Sequence, residues 1–139
     1  MRFIVLVAMF GTMLAHGEYC GPVYVSAPRY PLLAFQARVS GRVQIEMEVR
    51  ANGSIGGLGR FDGDKIFRGA SEAAVRVWKF QPGSDRKCVA TIVYKIMPVG
   101  TPPEELTTRF EPPLLVEVRR ETAEPTVLVD PAPVPAKRN

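Results

Sequence analysis

The sequence predicts an α+β fold: a two-layer sandwich in which a three-stranded antiparallel sheet carries one main helix and one short helix on one face. Residues 42–50 and 55–61 read as the two strands of a hairpin. Residues 65–78 repeat apolar side chains at three- and four-residue spacings, as an amphipathic helix does. Residues 87–97 alternate apolar and polar side chains and supply the third strand, so the main helix is the cover that the sheet needs.

The hairpin is predicted by strict alternation followed by a turn. The inward-facing residues of its first strand are Val43, Ile45, Met47 and Val49. Asn52 and Gly53 follow, and because both central positions of a two-residue hairpin turn need positive φ, we expect both residues to adopt it. The return strand contains Gly56, Gly57 and Gly59, which predict a bulge or a local twist.

The main helix is predicted to receive a capping oxygen from the turn at residues 62–64 and to end at Trp78. Its predicted apolar stripe consists of Ile66, Phe67, Ala70, Ala73, Ala74, Val77 and Trp78. Ser71 is predicted to face away from the core. Gly69 costs about 1 kcal/mol relative to alanine inside a helix, so we expect close packing at that position.

The other segments are predicted from apolar spacing and from proline. Residues 32–39 favour the short helix, because their apolar residues can share one face. The domain is predicted to span residues 18–97. Prolines then predict a linker over residues 98–120 with a candidate fourth strand at 114–119, which either pairs with a sheet edge or stays loose. Residues 121–139 are predicted to form a disordered tail.

Residues 1–17 predict a cleaved secretory signal peptide. Residues 3–14 are uncharged and follow Arg2, and Ala15 and Gly17 are small residues where cleavage requires them. As a helix, the uncharged run rises about 18 Å, which is short of the hydrocarbon core of about 30 Å. We therefore expect a periplasmic or secreted protein; an inner-membrane anchor that is not cleaved and a buried helix are the alternatives.

The composition argues against several classes of function. The formal net charge of +4 is spread along the chain, so no nucleic-acid surface is predicted. The single histidine, His16, lies in the predicted signal peptide, so the mature chain would lack the usual general base and the commonest metal ligand. Glu46 and Glu48 occupy ordinary exposed strand positions. We expect no enzymatic activity, no cofactor and no metal.

The two cysteines, Cys20 and Cys88, predict a disulfide if the chain is exported, because oxidising compartments favour pairing of an even number of cysteines. Two free buried thiols are the alternative. A metal site is less favoured, since two cysteines without histidine partners make an incomplete set of ligands.

Three short motifs follow one another along residues 28–96. Their residues are Tyr30, Pro31 and Ala34, then Gly41 and the alternating strand with Asn52 and Gly53, then Trp78, Phe80 and Pro82. Together these motifs resemble the C-terminal domain of TonB, the energy transducer of Gram-negative envelopes. Each motif alone is weak, but the three in this order are a specific pattern.

The resemblance implies a periplasmic protein-binding domain that engages outer-membrane transport receptors by β-augmentation, the pairing of an extended partner segment with a sheet edge. It implies a partner contact at Pro28, Arg29, Tyr30 and Pro31, although Ala27 stands where the family has glutamine. The expected partner is a protein or an extended peptide, such as a TonB-dependent receptor. A transducer also needs a membrane helix and a spacer before this domain, so cleavage would leave a TonB-like periplasmic protein.

An alternative function is a secreted structural or assembly domain. The strand candidate at residues 114–119 could pair between chains, which would make the protein a homodimer that joins through its sheet edge or through this strand. Measurement of mass across protein concentration separates the two hypotheses.

Overall fold

The computed structural model describes residues 20–122, which form seven strands and two α-helices. In chain order these are β1 (Pro22–Tyr24), α1 (Leu32–Gln36), β2 (Gly41–Val49), β3 (Ile55–Asp62), α2 (Arg68–Val75), β4 (Lys79–Phe80), β5 (Arg86–Met97), β6 (Arg109–Glu111) and β7 (Leu115–Glu121). Single turns of 3₁₀ helix lie at Lys65–Phe67 and Pro103–Glu105. The predicted signal peptide and the tail beyond residue 122 lie outside the described residues.

Five strands form a mixed sheet in the order β3-β2-β5-β7-β6, and β1 pairs with β4 in a small antiparallel ribbon. The predicted α+β class is confirmed, and the three predicted strands are the antiparallel group β3-β2-β5. The candidate fourth strand is present as β7, which pairs with β5 in parallel, so a purely antiparallel sheet is the wrong description. β6 was not predicted, because three exposed residues close to two prolines leave no alternation to detect.

The turn between β2 and β3 differs from the predicted two-residue turn. Gly53 has a φ of +84°, but Asn52 does not have a positive φ. The Gly53 N–H donates to the Arg50 carbonyl over 2.8 Å, so the connection is a longer turn that ends in a left-handed glycine. The Asn52 side chain accepts a hydrogen bond from the Ser54 N–H. Asn52 makes this turn contact without a positive φ.

One core lies between the sheet and the helices. The inward-facing side chains of β2, β5 and β7 pack there against Phe67, Val75 and Trp78. The core residues from these strands are Val43, Ile45, Met47, Val49, Cys88, Ala90, Ile92, Tyr94, Val116 and Val118. β5 is central, as its partly apolar second face predicted.

The buried face of the main helix differs from the predicted stripe. Ser71 and Val75 are fully buried, whereas Ala73 is exposed and Val77 is 51% exposed. From Phe67 onward the buried positions keep ordinary helical spacing, and the face is displaced from the predicted stripe because Ser71, a polar residue, is buried against the hydroxyl of Tyr94. The Asp64 side chain accepts a hydrogen bond from the Ile66 N–H, so the predicted capping oxygen is present.

The prediction of close packing at Gly69 is wrong. A Cβ added at Gly69 would meet no atom within 4 Å. The glycine therefore lies on the exposed side of α2, and it is not needed for the approach of the helix to the sheet. Within residues 20–122, no helix is long and apolar enough to cross a bilayer.

Candidate functional site

The segment that the resemblance singled out for partner contact is mostly part of the core. Pro28 and Tyr30 are buried and Pro31 is half-buried, so Arg29 is the exposed side chain of this group. The Tyr30 ring meets the rings of Phe67 and Tyr94 edge-on, with centroids 6.1 and 5.4 Å apart. Tyr30 thus fixes this segment to the sheet.

Both buried tyrosines remain neutral phenols near neutral pH. Burial raises the pKa of Tyr94 to about 12, and the nearby Tyr30 adds to the rise, while the hydrogen bond with Ser71 opposes it. Burial also raises the pKa of Tyr30, whose hydroxyl donates to the Val39 carbonyl. These phenols therefore act as hydrogen-bonding core groups at neutral pH.

The motif residues at the ends of the helix and hairpin build the scaffold. Ala34, Trp78 and Phe80 are buried, and the Trp78 indole N–H donates to the Ser26 carbonyl over 2.9 Å. A Cβ at Gly53 would lie 1.9 Å from the Phe80 carbonyl oxygen, so only glycine fits there. Two further motif residues have other environments: Gly41 lies against the Phe67 ring, and Pro82 is exposed.

The N-terminal segment is fixed at the beginning of β5 by two interactions. Cys20 and Cys88 form a disulfide with a Cα–Cα distance of 6.1 Å. The Arg86 guanidinium donates to the carbonyl oxygens of Cys20, Gln81 and Ser84 over 2.9, 2.8 and 3.0 Å. The sequence pattern does not predict this role, because Arg86 and Lys87 form a short basic cluster of the kind that is usually exposed to solvent.

The two outermost strands are poor templates for an added strand. β3 has eight residues, but its register against β2 shifts between Ile45 and Met47 and again between Glu48 and Val49. Such bulges break the regular row of outward N–H and C=O groups. β6 has only three residues, which is too short for a stable ladder of its own.

β5 offers a more regular edge. β7 covers it only from Thr91 to Met97, so residues 86–90 have no strand partner on that side among residues 20–122. The Thr91 N–H donates to the Leu114 carbonyl on this side. Because hydrogen-bonding direction alternates along a strand, the main-chain groups of Lys87 and Val89 point to the same side as those of Thr91. We call residues 86–90 the open edge of β5.

An apolar groove begins where the open edge ends. It has a volume of about 340 Å³ and lies between the segment that contains β1 and the hairpin of β6 and β7. Its lining residues include Val23, Val25, Phe110, Pro113, Leu114 and Val116. Val23 and Phe110 are 66% and 52% exposed, so the groove has unusually large apolar side chains on its rim.

These features define a small α+β domain with a free strand edge beside an apolar groove, which is an arrangement suited to binding an extended peptide. The family model described as the C-terminal region of Gram-negative bacterial TonB protein matches residues 26–97. The chain belongs to this TonB C-terminal family. Members of this family act in transport in the periplasm. Their partners are proteins, such as outer-membrane receptors.

Among solved structures, the chain is similar to the C-terminal domain of Pseudomonas aeruginosa TonB, determined by solution NMR. The identity is 22%, the match covers 58% of this chain and 90% of that domain, and the TM-score is 0.48. The comparison with curated proteins gave no match.

Proposed function

We propose that this protein is a periplasmic binding module that captures an extended segment of an outer-membrane transport receptor by β-augmentation at the open edge of β5. The single observation that carries the proposal is that the outward main-chain groups of Lys87 and Val89 have no strand partner in residues 20–122. Family membership supplies the class of partner.

The open edge supplies main-chain affinity and the groove supplies selectivity. An incoming strand would exchange N–H···O=C hydrogen bonds with Lys87 and Val89, and its alternate side chains would meet the apolar groove. Lys87 has a side chain that is 69% exposed, and its Nζ lies 3.6 Å from a Glu46 carboxylate oxygen. An acidic residue of the partner would compete with this exposed ion pair. Arg29 is the second candidate contact, because it is the exposed residue of the segment that the family resemblance singled out.

The test uses peptides from the periplasmic ends of outer-membrane receptors and isotope-labelled protein. We expect the amide signals of Lys87 and Val89 to shift on titration, together with those of Val23 and Phe110 at the groove. Replacement of Val89 by proline removes one outward N–H and should weaken binding at least tenfold, whereas Val89→Ala keeps that N–H and is the matched control. Unchanged amide signals at the open edge would overturn the proposal.

A further inference from the structure

We infer that the open edge of β5 also accepts residues 126–129 of a second copy of this chain, so that the protein associates head to tail. The inference rests on the proposed binding site and names a partner for it. It combines three observations: the length of the open edge, the sequence of the tail, and the distance between the site and the end of β7.

The tail contains one segment suited to strand pairing. Thr126, Val127, Leu128 and Val129 are β-branched or apolar residues, and Pro125 and Asp130-Pro131 bound them. Such a run favours a strand, while flanking prolines limit its length. The segment has four residues, which is close to the five residues of the open edge. Because successive side chains of a strand point to opposite faces, either register of pairing places apolar side chains in the groove.

Charge also favours this segment. Glu124 and Asp130 flank the apolar run on its two sides. The open edge begins with Arg86 and Lys87. Lys87 is largely exposed, and an acidic residue of the second copy would compete there with Glu46, whose carboxylate oxygen lies 3.6 Å from the Lys87 Nζ. Whichever direction the segment takes, one acidic residue therefore comes to lie near the basic end of the edge.

The segment cannot reach the open edge of its own chain. β7 ends beside the end of β5, where the Thr122 N–H donates to the Met97 carbonyl over 2.9 Å. Val89 lies eight residues back along β5, which is about 26 Å at about 3.3 Å per residue. Leu128 is six residues beyond Thr122, and six extended residues span at most about 21 Å.

The partner is therefore a second copy, and the contact joins two different surfaces. Each copy uses its edge for one neighbour and its tail for another, so the interface is heterologous and the assembly can extend. This differs from a two-fold dimer, in which each surface meets itself. The arrangement makes a specific prediction for mixtures of variants.

The test is sedimentation velocity of the purified full chain across a wide concentration range. We expect the mean mass of the wild-type chain to rise with concentration beyond that of a dimer. Leu128→Asp alters the tail and Val89→Pro alters the edge, and each variant alone should remain a monomer. An equimolar mixture should form a one-to-one heterodimer and stop there, because it contains one intact tail and one intact edge.

Each result has a defined meaning. Leu128 lies beyond Thr122, the last residue that the structure describes, and unfolding by urea checks that Leu128→Asp keeps the stability of the wild type. Val89→Ala should associate as the wild type does. A wild-type chain that stays monomeric, or a Leu128→Asp variant that still associates, overturns the inference. Receptor peptides that still shift the Val89 amide signal of Leu128→Asp would then leave the proposed function standing, while unchanged signals would overturn both.

Discussion

The hydroxyl oxygens of Ser71 and Tyr94 lie 2.6 Å apart inside the core. Ser71 lies on α2 and Tyr94 on the central strand β5, and both residues are at most 1% exposed. The Tyr94 ring also stacks on Phe67, with ring centroids 4.3 Å apart. One polar contact therefore joins the two layers within an apolar environment, and its hydroxyl groups satisfy each other.

Stability should fall at alkaline pH because of Tyr94. The folded state keeps the Tyr94 pKa at about 12, whereas an unfolded tyrosine ionises near pH 10. The unfolded chain thus binds fewer protons between these pH values, so the stabilisation is complete below about pH 10 and is lost as the pH rises toward about 12. Urea unfolding at a series of pH values measures this slope. Tyr94→Phe should reduce the slope, and the part due to the raised pKa of Tyr30 should remain, whereas the exposed Tyr24→Phe should not reduce it.

Gly69→Ala should stabilise the protein by about 0.5–1 kcal/mol, because alanine is the better helix former and its Cβ would meet open space. The measurement is the midpoint of urea or thermal unfolding. Gly53→Ala is the opposite case, since its φ is +84° and the new Cβ would overlap the Phe80 carbonyl. We expect it to destabilise the protein, and a destabilised Gly69→Ala variant would contradict the assigned exposure of this helix face.

Reduction of the disulfide should lower stability. Cys20 and Cys88 are 68 residues apart, and the chain-entropy model gives about 4 kcal/mol for a loop of this order. Thermal unfolding with and without a reductant measures the loss, and the Cys20→Ser variant should match the reduced protein. Intact mass of the exported protein gives an independent check: a mass equal to that of the dithiol form would rule out the bond.

Arg86→Lys should destabilise the protein by about 1–3 kcal/mol, because an ammonium group cannot donate to three carbonyl oxygens in the geometry of the planar guanidinium. Arg109→Lys, on exposed β6, is the matched control and should have little effect. Urea unfolding compares the two. Equal stability of the two variants would mean that water replaces the hydrogen bonds of Arg86.

The sequence predicted the elements whose pattern is local. Strict alternation in β2 and the glycine turn after it specify the hairpin, and the spacing of apolar residues specifies the helix. The buried face of α2 is not predictable in this way, because Ser71 is buried through a contact with Tyr94, which is 23 residues away in the sequence. The helical pattern alone predicts that a polar residue such as Ser71 lies on the exposed face. Its buried hydrogen-bond partner, Tyr94, becomes visible only in the folded structure.

The candidate site depends on relationships between distant residues. Nothing in the local pattern of β7 states that it pairs in parallel with β5, or that it begins at Thr91 and leaves residues 86–90 open. Tyr30 illustrates the reverse case: its motif suggested a contact surface, yet its ring lies among Phe35, Phe67 and Tyr94. Burial is a property of the assembled core, so a motif alone does not separate scaffold from surface.

The parallel pairing of β5 and β7 determines how the domain resists force. The disulfide attaches the N-terminal segment near the beginning of β5, and β7 ends beside Met97 at the opposite end. The two attachment points are separated by about 30 Å along the strands. Tension applied through both ends of the described chain would pull β5 and β7 in opposite directions along their axes. Seven paired positions, from Thr91 to Met97, would then be loaded together in shear instead of opening one after another.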